Sequence, residues 1–318
     1  MSLAFVFPGQ GSQSIGMMSA LAKISPTIEA TFAEASTVLG YDLWRRCQEG
    51  PLELLNSTEC TQPAMLTAGI ATYRLWLERG GAAPALMAGH SLGEFTALVA
   101  ANTLDFRAAV DLVKYRGELM QAAGPQGYGA MAAILGLEDI DIDEACREAS
   151  QGEVVEAVNF NAPVQVVIAC VATAVARAID IATAKGARRA LALAVSVPAH
   201  SSLMQPAADQ LRVRLESTAF TPPSGVAVYG VDVKTHTTAQ GIRAGLVKQL
   251  YTPVYWAATV RTMIAAGATQ IVECGPGKVL TGLNRRVDKN RDLKMMALED
   301  PQSLDDALAA VKLLVVRN

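Results

Sequence analysis

Residues 85–95 read ALMAGHSLGEF, so a serine lies between an apolar segment and a glycine at which a helix can begin. The run Ala85–Ala88 predicts a buried strand, and residues 89–93 match the pattern G-x-S-x-G between that strand and the helix. There the glycines allow a sharp turn that lifts the Ser91 hydroxyl out of the sheet, while the helix N–H groups, including that of Leu92, face a developing oxyanion. The alternative is a serine in an ordinary loop, since the bare pattern also occurs by chance. The flanking strand and helix favour a nucleophile.

Strand and helix patterns alternate on both sides of this turn. Apolar runs at 3–7 and 270–273 each precede a glycine-containing turn. Such alternation is typical of an α/β fold with helices on both faces of a mostly parallel sheet. The middle of the chain instead predicts the order β-α-β-β-α-β, which is the ferredoxin-like pattern. We expect residues 126–196 to form a small inserted subdomain, and residues 1–125 together with 197–318 to form the main domain.

Periodicity also gives approximate bounds for the individual elements. Besides short helices directly after residues 93 and 278, the predicted helices lie at 26–39, 63–79, 106–122, 139–150, 172–185, 201–216, 239–250 and 254–266, with a last one from Ser303. The predicted strands lie at 3–7, 85–88, 130–135, 154–158, 164–169, 189–195, 270–273 and 293–297.

The composition is that of a globular protein: 318 residues, 51% hydrophobic, 18% charged, with a formal net charge of −3. This near-neutral balance argues against a general nucleic-acid or anionic-membrane binder, which normally carries a basic excess. We expect no membrane span and no signal peptide, because the apolar runs are short and the N-terminus lacks a basic segment. The five cysteines are widely spaced with no C-x-x-C pair, so we expect reduced thiols in a cytoplasmic protein and no metal site.

A nucleophilic serine needs a base, and the chain has three histidines. His90 adjoins the nucleophile on a tight turn and is expected to point away from it, while His236 lies in a polar, surface-like stretch. His200 follows an apolar strand, where α/β sheets place their sites, and is the candidate base. No acid can be assigned with equal ease. Either an unseen carboxylate completes a triad, or a main-chain carbonyl orients His200 in a dyad.

Arg116 falls on the apolar face of the helix predicted at 106–122. A guanidinium keeps its proton, so one that faces inward needs an anionic partner. One possibility is an internal salt bridge with Glu94. The other is bidentate binding of a substrate carboxylate.

Two glycine-rich turns resemble phosphate-binding loops only in part. Gly9, Gly11 and Gly16 do not have G-x-G-x-x-G spacing, and residues 275–278 (GPGK) lack the full P-loop spacing. We therefore expect no nucleotide cofactor. The first turn could equally offer a backbone N–H to an oxyanion beside Ser91.

Taken together, these motifs resemble the malonyl-CoA:acyl-carrier-protein transacylases of bacterial fatty-acid synthesis. The likeness covers essentially the whole chain and consists of several segments in order. They are FVFPGQGSQ (5–13), TQPA (61–64), AGHSLGEF (88–95), Arg116 with Met120, VNFNAP (158–163), VSVPAH (195–200), KQLYTPVYW (248–256) and ECGPGKVLTGL (273–283).

The resemblance implies an α/β-hydrolase-like domain with a ferredoxin-like subdomain inserted, and an active site in the cleft between them. It carries the family's roles onto the matching positions of this chain. These are nucleophile (Ser91), base (His200), oxyanion donors (backbone N–H of Gln10 and Leu92), a carbonyl that orients the base (Gln249), the malonyl-carboxylate ligand (Arg116) and further residues near the substrate (Gln62, Met120 and Asn161).

The implied activity is ping-pong transfer of malonyl from malonyl-CoA to the phosphopantetheine thiol of acyl carrier protein for fatty-acid elongation, by a monomer without a cofactor. The alternatives are a serine esterase or thioesterase, a malonyltransferase of a polyketide or other carrier-protein pathway, and a non-catalytic scaffold. An acidic carrier suggests docking on basic residues, although these can equally form a solvated face. The candidates are Arg188, Arg189, Arg285, Arg286 and Lys289.

Two positions depart from the family pattern. Ala199 precedes the base where relatives often carry Ser or Phe, which would loosen selectivity at the acyl pocket. Residues 228–231 (VYGV), including Tyr229 and Gly230, replace an asparagine-bearing stretch, which would change hydrogen bonding near the site.

Overall fold

A computed structural model describes residues 2–123, 129–193 and 197–315. Within these ranges the strands are β1 Ser2–Phe7, β2 Leu86–Gly89, β3 Gly129–Leu135, β4 Val155–Ala162, β5 Gln165–Val171, β6 Arg189–Ala192, β7 Ala227–Tyr229, β8 Ala268–Glu273 and β9 Lys294–Ala297. The helices are α1 Ser19–Ala22, α2 Thr27–Leu39, α3 Leu43–Glu49, α4 Leu52–Leu55, α5 Thr58–Glu78, α6 Gly93–Ala100, α7 Phe106–Ala122, α8 Asp139–Ser150, α9 Ala172–Ala184, α10 Gln205–Ser217, α11 Ala239–Gln249, α12 Trp256–Ala265, α13 Val279–Val287 and α14 Pro301–Val315.

The larger sheet is parallel and has the strand order β7-β2-β1-β8-β9. Its central strand, β1, is buried from Leu3 to Phe7 because neighbouring strands flank it and helices cover both faces. Phe5 and Phe7 contribute to one hydrophobic cluster, whereas Ala4 and Val6, which alternate with them, contribute to another on the opposite face. The predicted parallel sheet of an α/β fold is thereby confirmed.

The smaller sheet is antiparallel, with the order β4-β5-β3-β6. Helices α8 and α9 pack on one of its faces, around Ile134, Ile142, Ile168 and Val175. The element order β3-α8-β4-β5-α9-β6 is the predicted ferredoxin-like arrangement, and it is confirmed.

The two sheets meet through the segment between α11 and α12. Val254 donates its N–H to the carbonyl of Val158, and Phe160 donates to the carbonyl of Val254. The rings of Phe160 and Tyr255 stack with centroids 5.1 Å apart. This contact brings the smaller sheet over the carboxyl ends of β1, β2 and β8, which share one edge because the strands are parallel.

Several element bounds differ from the sequence predictions. The helix predicted to begin at Pro63 begins at Thr58 and carries the proline inside it. The helix predicted at 201–216 starts as a 3-10 turn over Ser202–Met204 and becomes α-helical at Gln205. Helices α1, α3 and α4, of four to seven residues, and strand β7, of three, were not predicted, because such short elements do not display a period.

Some predicted boundaries lie outside the described residues. These are the domain boundaries near residues 125 and 196 and the predicted end of the last small-sheet strand at Val195. Among the helices described, none is long and apolar enough to cross a bilayer.

Candidate active site

The serine turn connects β2 to α6, as its sequence predicts. Ser91 has a φ of +54°, in the left-handed region, which residues other than glycine adopt only where the surroundings impose it. The chain passes so close to itself here that glycine is required on both sides. A Cβ on Gly89 would lie 1.8 Å from the carbonyl carbon of Gly93, and one on Gly93 would lie 2.0 Å from the oxygen of Phe7. The turn therefore presents the Ser91 side chain at the edge of the sheet.

His200 lies directly against this serine. Its Nε2 is 2.7 Å from Ser91 Oγ, and its Nδ1 is 2.7 Å from the main-chain oxygen of Gln249. A carbonyl only accepts, so Nδ1 carries the proton and Nε2 is left to accept the hydrogen of the Ser91 hydroxyl. The partner of Nδ1 is thus a main-chain carbonyl at the end of α11, which is the dyad arrangement that the sequence left open.

Burial and the nearby charge of Arg116 lower the pKa of His200 from 6.5 to about 3. The imidazole is 3% exposed, and Arg116 Nη2 reaches the same Ser91 Oγ at 3.3 Å. At neutral pH the ring is therefore uncharged and able to accept a proton.

Arg116 reaches the serine from α7. It is 1% exposed, and its Nη2 donates to Ser91 Oγ at 3.3 Å and to Gln249 Oε1 at 2.9 Å. In the described part of the chain its buried Nε has no hydrogen-bond partner. Burial lowers the pKa of Arg116 from 12.5 to about 10, so the group remains a cation at neutral pH. A desolvated cation with a spare donor is suited to an incoming carboxylate.

The salt bridge considered between Arg116 and Glu94 is not a direct one. The side-chain amide of Gln249 lies between the two groups, and its Nε2 donates to Glu94 Oε2 at 2.6 Å. Burial raises the pKa of Glu94 from 4.5 to about 7. Arg116 therefore has no carboxylate in contact with its guanidinium among the described residues.

Gln10 and Leu92 both line the cavity in front of Ser91. Within residues 2–123, 129–193 and 197–315, neither backbone N–H donates a hydrogen bond to another protein group. Two free N–H groups beside a serine form the arrangement that an oxyanion requires.

The cavity has a volume of about 200 Å³ and is built from both sheets. Gln62 and Met120 line it and contact each other, with Gln62 Nε2 3.1 Å from the methionine sulfur. Asn161 lines it from β4, and its Oδ1 lies 2.8 Å from His90 Nε2. Ala199 lies in the wall beside the base. Every residue that the sequence associated with catalysis or substrate thus contacts this cavity or, like Gln249, lies directly behind it.

The other two histidines do not reach the serine hydroxyl. The His90 ring packs under the turn against Trp256, with centroids 5.6 Å apart, and burial lowers its pKa. His236 pairs instead with Asp232, at 3.1 Å. The stretch 228–231 ends β7 and turns tightly, and its Val231 backbone faces the Glu94 carboxylate.

The basic residues named for docking are all exposed, but they do not form one cluster. One row of paired residues crosses the smaller sheet from Gln165 on β5 through Leu135 on β3 to Arg189 on β6. At about 4.8 Å per strand, Gln165 lies about 10 Å from Arg189. Arg286 donates a hydrogen bond to the Gln165 end of this row. The other members lie apart. Arg285 and Lys289 border a separate pocket beside β9, and Arg188 lies against Gly136.

Sequence reasoning missed two features of this site. The first is the side chain of Gln249, because the resemblance implies a role only for the main-chain carbonyl of this residue. The second is the set of apolar residues that the smaller sheet and α13 contribute to the cavity wall. They are Met131, Val167, Leu193, Val279, Leu280 and Leu283. No group of three or more His, Cys, Asp or Glu side chains within the described ranges could hold a metal ion.

The comparisons with known proteins agree on one family. The acyl transferase domain family matches residues 4–298. The chain is 54% identical to the malonyl CoA-acyl carrier protein transacylase of Escherichia coli K12, over 96% of this chain and 98% of that one. It is 41% identical to the Bacillus subtilis transacylase, over 98% of this chain and 97% of that one.

Solved structures extend the similarity to the fold. One is a malonyl-transacylase in complex with its holo type II PKS acyl-carrier protein, at 53% identity and a TM-score of 0.95, over 98% of this chain and 100% of that one. Another is the Coxiella burnetii malonyl CoA-acyl carrier protein transacylase, at 44% identity and a TM-score of 0.95, over 98% of each chain. With its fold, its motifs and most of its length matched in this way, the chain belongs to the malonyl CoA-acyl carrier protein transacylase family.

Proposed function

We propose that this protein transfers the malonyl group of malonyl-CoA to the phosphopantetheine thiol of an acyl carrier protein, through a malonyl ester of Ser91. One observation carries the proposal. Ser91 Oγ lies 2.7 Å from a neutral imidazole and 3.3 Å from a desolvated guanidinium. A base and a carboxylate receptor thus meet at one nucleophile, which suits an acyl group with a free acid at its far end.

In the first half-reaction His200 Nε2 takes the Ser91 proton while Oγ attacks the thioester carbonyl of malonyl-CoA. The tetrahedral oxyanion accepts from the N–H groups of Gln10 and Leu92, and loss of one such donor typically lowers the rate about 10²–10³-fold. The intermediate collapses, the C–S bond breaks, and His200 returns the proton to the CoA thiolate. General base catalysis of this kind typically contributes about 10²–10⁴-fold.

In the second half-reaction the carrier thiol loses its proton to His200 and attacks the malonyl-serine ester. The same N–H groups hold the oxyanion. The bond between the acyl carbon and Ser91 Oγ then breaks, and His200 returns the proton to Oγ. Throughout, Nδ1 remains hydrogen-bonded to the Gln249 carbonyl, which keeps the ring in one tautomer and orientation. No step needs a metal or a cofactor, since every group involved belongs to the chain or the substrates.

Arg116 would bind the malonyl carboxylate and thereby hold the thioester carbon against Ser91. Such positioning removes the translational freedom of the acyl group before the chemical step. It also keeps the ester available for the thiol instead of water. Gln62, Met120 and Asn161 would shape the remainder of the acyl site. Support for their assignment comes from their contact with the same cavity.

For the carrier protein we propose a docking surface at the cavity mouth that includes Arg189 and Arg286. Support comes from their shared row on the smaller sheet, whose same face carries exposed Leu191 and, at the cavity, Leu193. Leu191 is 54% exposed and Leu193 38%, so apolar surface accompanies the charge. An acidic carrier would match the charge of this surface. Arg188, Arg285 and Lys289 would add long-range attraction.

We assign the product to fatty-acid elongation in the cytoplasm, catalysed by a monomer in which residues 126–196 form a separate subdomain. The five cysteines, all buried and unpaired, are consistent with a reducing compartment. The specific alternative is a polyketide carrier, because one relative with a TM-score of 0.95 was solved with a type II PKS acyl-carrier protein. Comparing the two kinds of carrier as acceptors distinguishes these pathways.

Intact-protein mass spectrometry after brief exposure to malonyl-CoA tests the whole proposal. The expected result is a malonyl adduct that is absent from Ser91→Ala and is discharged onto carrier protein added afterwards. An adduct lost to water at the same rate without the carrier would identify a hydrolase. The absence of any adduct would mean that malonyl-CoA is not the donor.

A further inference from the structure

Glu94 is an enclosed carboxyl group in the first turn of α6 for which the chemistry above has no use. It is 5% exposed, and its Oε2 accepts from Gln249 Nε2 at 2.6 Å. The same amide nitrogen donates to the main-chain oxygen of Ser91 at 3.0 Å, and the amide oxygen accepts from Arg116 at 2.9 Å. One side chain therefore connects the buried carboxyl to both the nucleophile and the guanidinium.

We propose that Glu94 is a positioning residue for Arg116 and acts through the side-chain amide of Gln249. An ionised carboxylate can only accept hydrogen bonds, and a guanidinium can only donate them. Only one orientation of the amide satisfies both neighbours, with nitrogen towards Glu94 and oxygen towards Arg116. The reversed amide would set two donors against each other at Arg116 and two acceptors against each other at Glu94.

This arrangement affects Arg116 more than it affects the base. His200 is oriented by the main-chain carbonyl of Gln249, which does not depend on how the amide is turned. Arg116, by contrast, has the Gln249 amide oxygen as its shortest hydrogen-bond partner. Losing that acceptor would leave Nη2 with only the longer contact to Ser91. Glu94 should therefore matter for an acyl group that uses Arg116 and little for one that does not.

The charged groups around Glu94 allow a second readout. Burial raises its pKa to about 7, and Asp232 on the loop after β7 adds to the rise. The Gln249 hydrogen bond, Arg116 and the Val231 backbone oppose it. His236 in turn pairs with Asp232. When Glu94 is protonated, Gln249 no longer has to donate to it, so the orientation of the amide is less strictly imposed.

The inference rests on the proposed malonyl transfer, and the test compares malonyl-CoA with acetyl-CoA as donor. At about pH 8, above the pKa of about 7 for Glu94, we expect Glu94→Gln to lower kcat/KM for malonyl transfer to holo carrier protein. The expected loss is about tenfold, equivalent to about 1.4 kcal/mol, with less than about threefold for acetyl. The matched control is Asp232→Asn, a nearby carboxylate that does not contact Gln249. It should keep the wild-type donor ratio.

Gln249→Met provides an independent arm, because it removes the amide and retains the main-chain carbonyl. It should lower the malonyl-to-acetyl ratio by itself, and adding Glu94→Gln should lower the ratio no further. Equal losses for both donors in Glu94→Gln, or additive losses in the double variant, would show a merely structural carboxyl and overturn the inference.

A third arm uses the unaltered protein, so it does not depend on whether any variant folds. The malonyl-to-acetyl ratio should fall as the pH is lowered from about 8 to about 6, through the pKa of about 7 for Glu94. A ratio that stays constant over this range would also overturn the inference. Failure of the wild type to transfer malonyl at all would refute the proposed function instead, so the two failures remain distinct.

Discussion

Replacing Arg116 with alanine should separate malonyl transfer from transfer of an uncharged acyl group. Arg116 is 1% exposed, touches Ser91 Oγ, and has no carboxylate in contact with its guanidinium among the described residues. A malonyl carboxylate would supply the missing anion. An acetyl group carries no carboxylate for Arg116 to bind, so its transfer depends on the serine and the base alone.

The size of the effect follows from burial. Truncating one member of a buried, hydrogen-bonded charge pair costs about 2–5 kcal/mol, much of it from leaving the other charge unpaired. At about 1.4 kcal/mol per factor of ten, kcat/KM for malonyl should fall about 30- to 4,000-fold. Acetyl transfer should change by less than about threefold, because the 3.3 Å contact from Arg116 to Ser91 is longer than the 2.7 Å contact from His200. Arg116→Lys should recover only part of the loss, since an ammonium lacks the planar fork.

The assay measures kcat/KM for transfer from each donor to holo carrier protein, with thermal unfolding recorded for every variant. Arg107→Ala, an exposed arginine on the same helix, is the matched control and should behave as wild type. Equal losses for malonyl and acetyl, in a variant that unfolds at the wild-type temperature, would refute the assignment of the carboxylate to Arg116.

Three further outcomes can be checked. Gly93→Ala, whose Cβ would lie 2.0 Å from the Phe7 oxygen, should lower the free energy of unfolding by about 2 kcal/mol or more in urea titrations. Gly282→Ala, with no atom within 4 Å of its Cβ, should instead raise it by about 0.5–1 kcal/mol, and an equal effect at both positions would contradict the packing argument. The pKa of His200 falls from 6.5 to about 3 on folding, so between these pH values the folded protein binds fewer protons than the unfolded chain. The free energy of unfolding should therefore decrease as the pH falls through this window. His200→Asn should flatten that decrease, and an unchanged slope would show that the ring is not buried uncharged. The double variant Arg189→Glu, Arg286→Glu should slow carrier association and weaken the salt dependence of the association rate. The control Arg45→Glu, on α3, should do neither. Unchanged kinetics of the double variant in stopped-flow binding would remove these arginines from the docking surface.

Local signals in the sequence were sufficient for the elements that carry a clear period. The run before Ser91 and the apolar stretches at β1 and β8 predicted strands because their residues are buried on both faces of a parallel sheet. Strand β7 was missed because three residues cannot display a period, and they become a strand only by pairing with β2. The helix start at Pro63 was wrong because proline marks a tolerated position near a helix start, and the helix had already begun at Thr58.

The same distinction, between local signals and contacts made only in the folded chain, applies to the residues of the site. Ser91 could be proposed because it follows β2 of the parallel sheet, where α/β folds expose side chains. His200 was predicted for the same reason, but the strand before it, β6, ends at Ala192 and belongs to the antiparallel sheet. The amide bridge from Arg116 to Glu94 could not be proposed, because it depends on Gln249, which is 133 and 155 residues away from them along the chain. The apolar wall was equally hidden. A period of two shows that Met131 and Val167 share a face with alternate residues, but not which face meets the other sheet.

The hydrogen bond from His200 to a main-chain oxygen affects how this site tolerates genetic change. A Ser-His-Asp triad encodes three side chains, and a single codon change in any of them disables it. Here the third member is a peptide carbonyl, which every amino acid carries, so only two codons are indispensable for the proton transfers. Position 249 can therefore vary without abolishing the base, and its side chain is available for selection on the acyl group that is transferred.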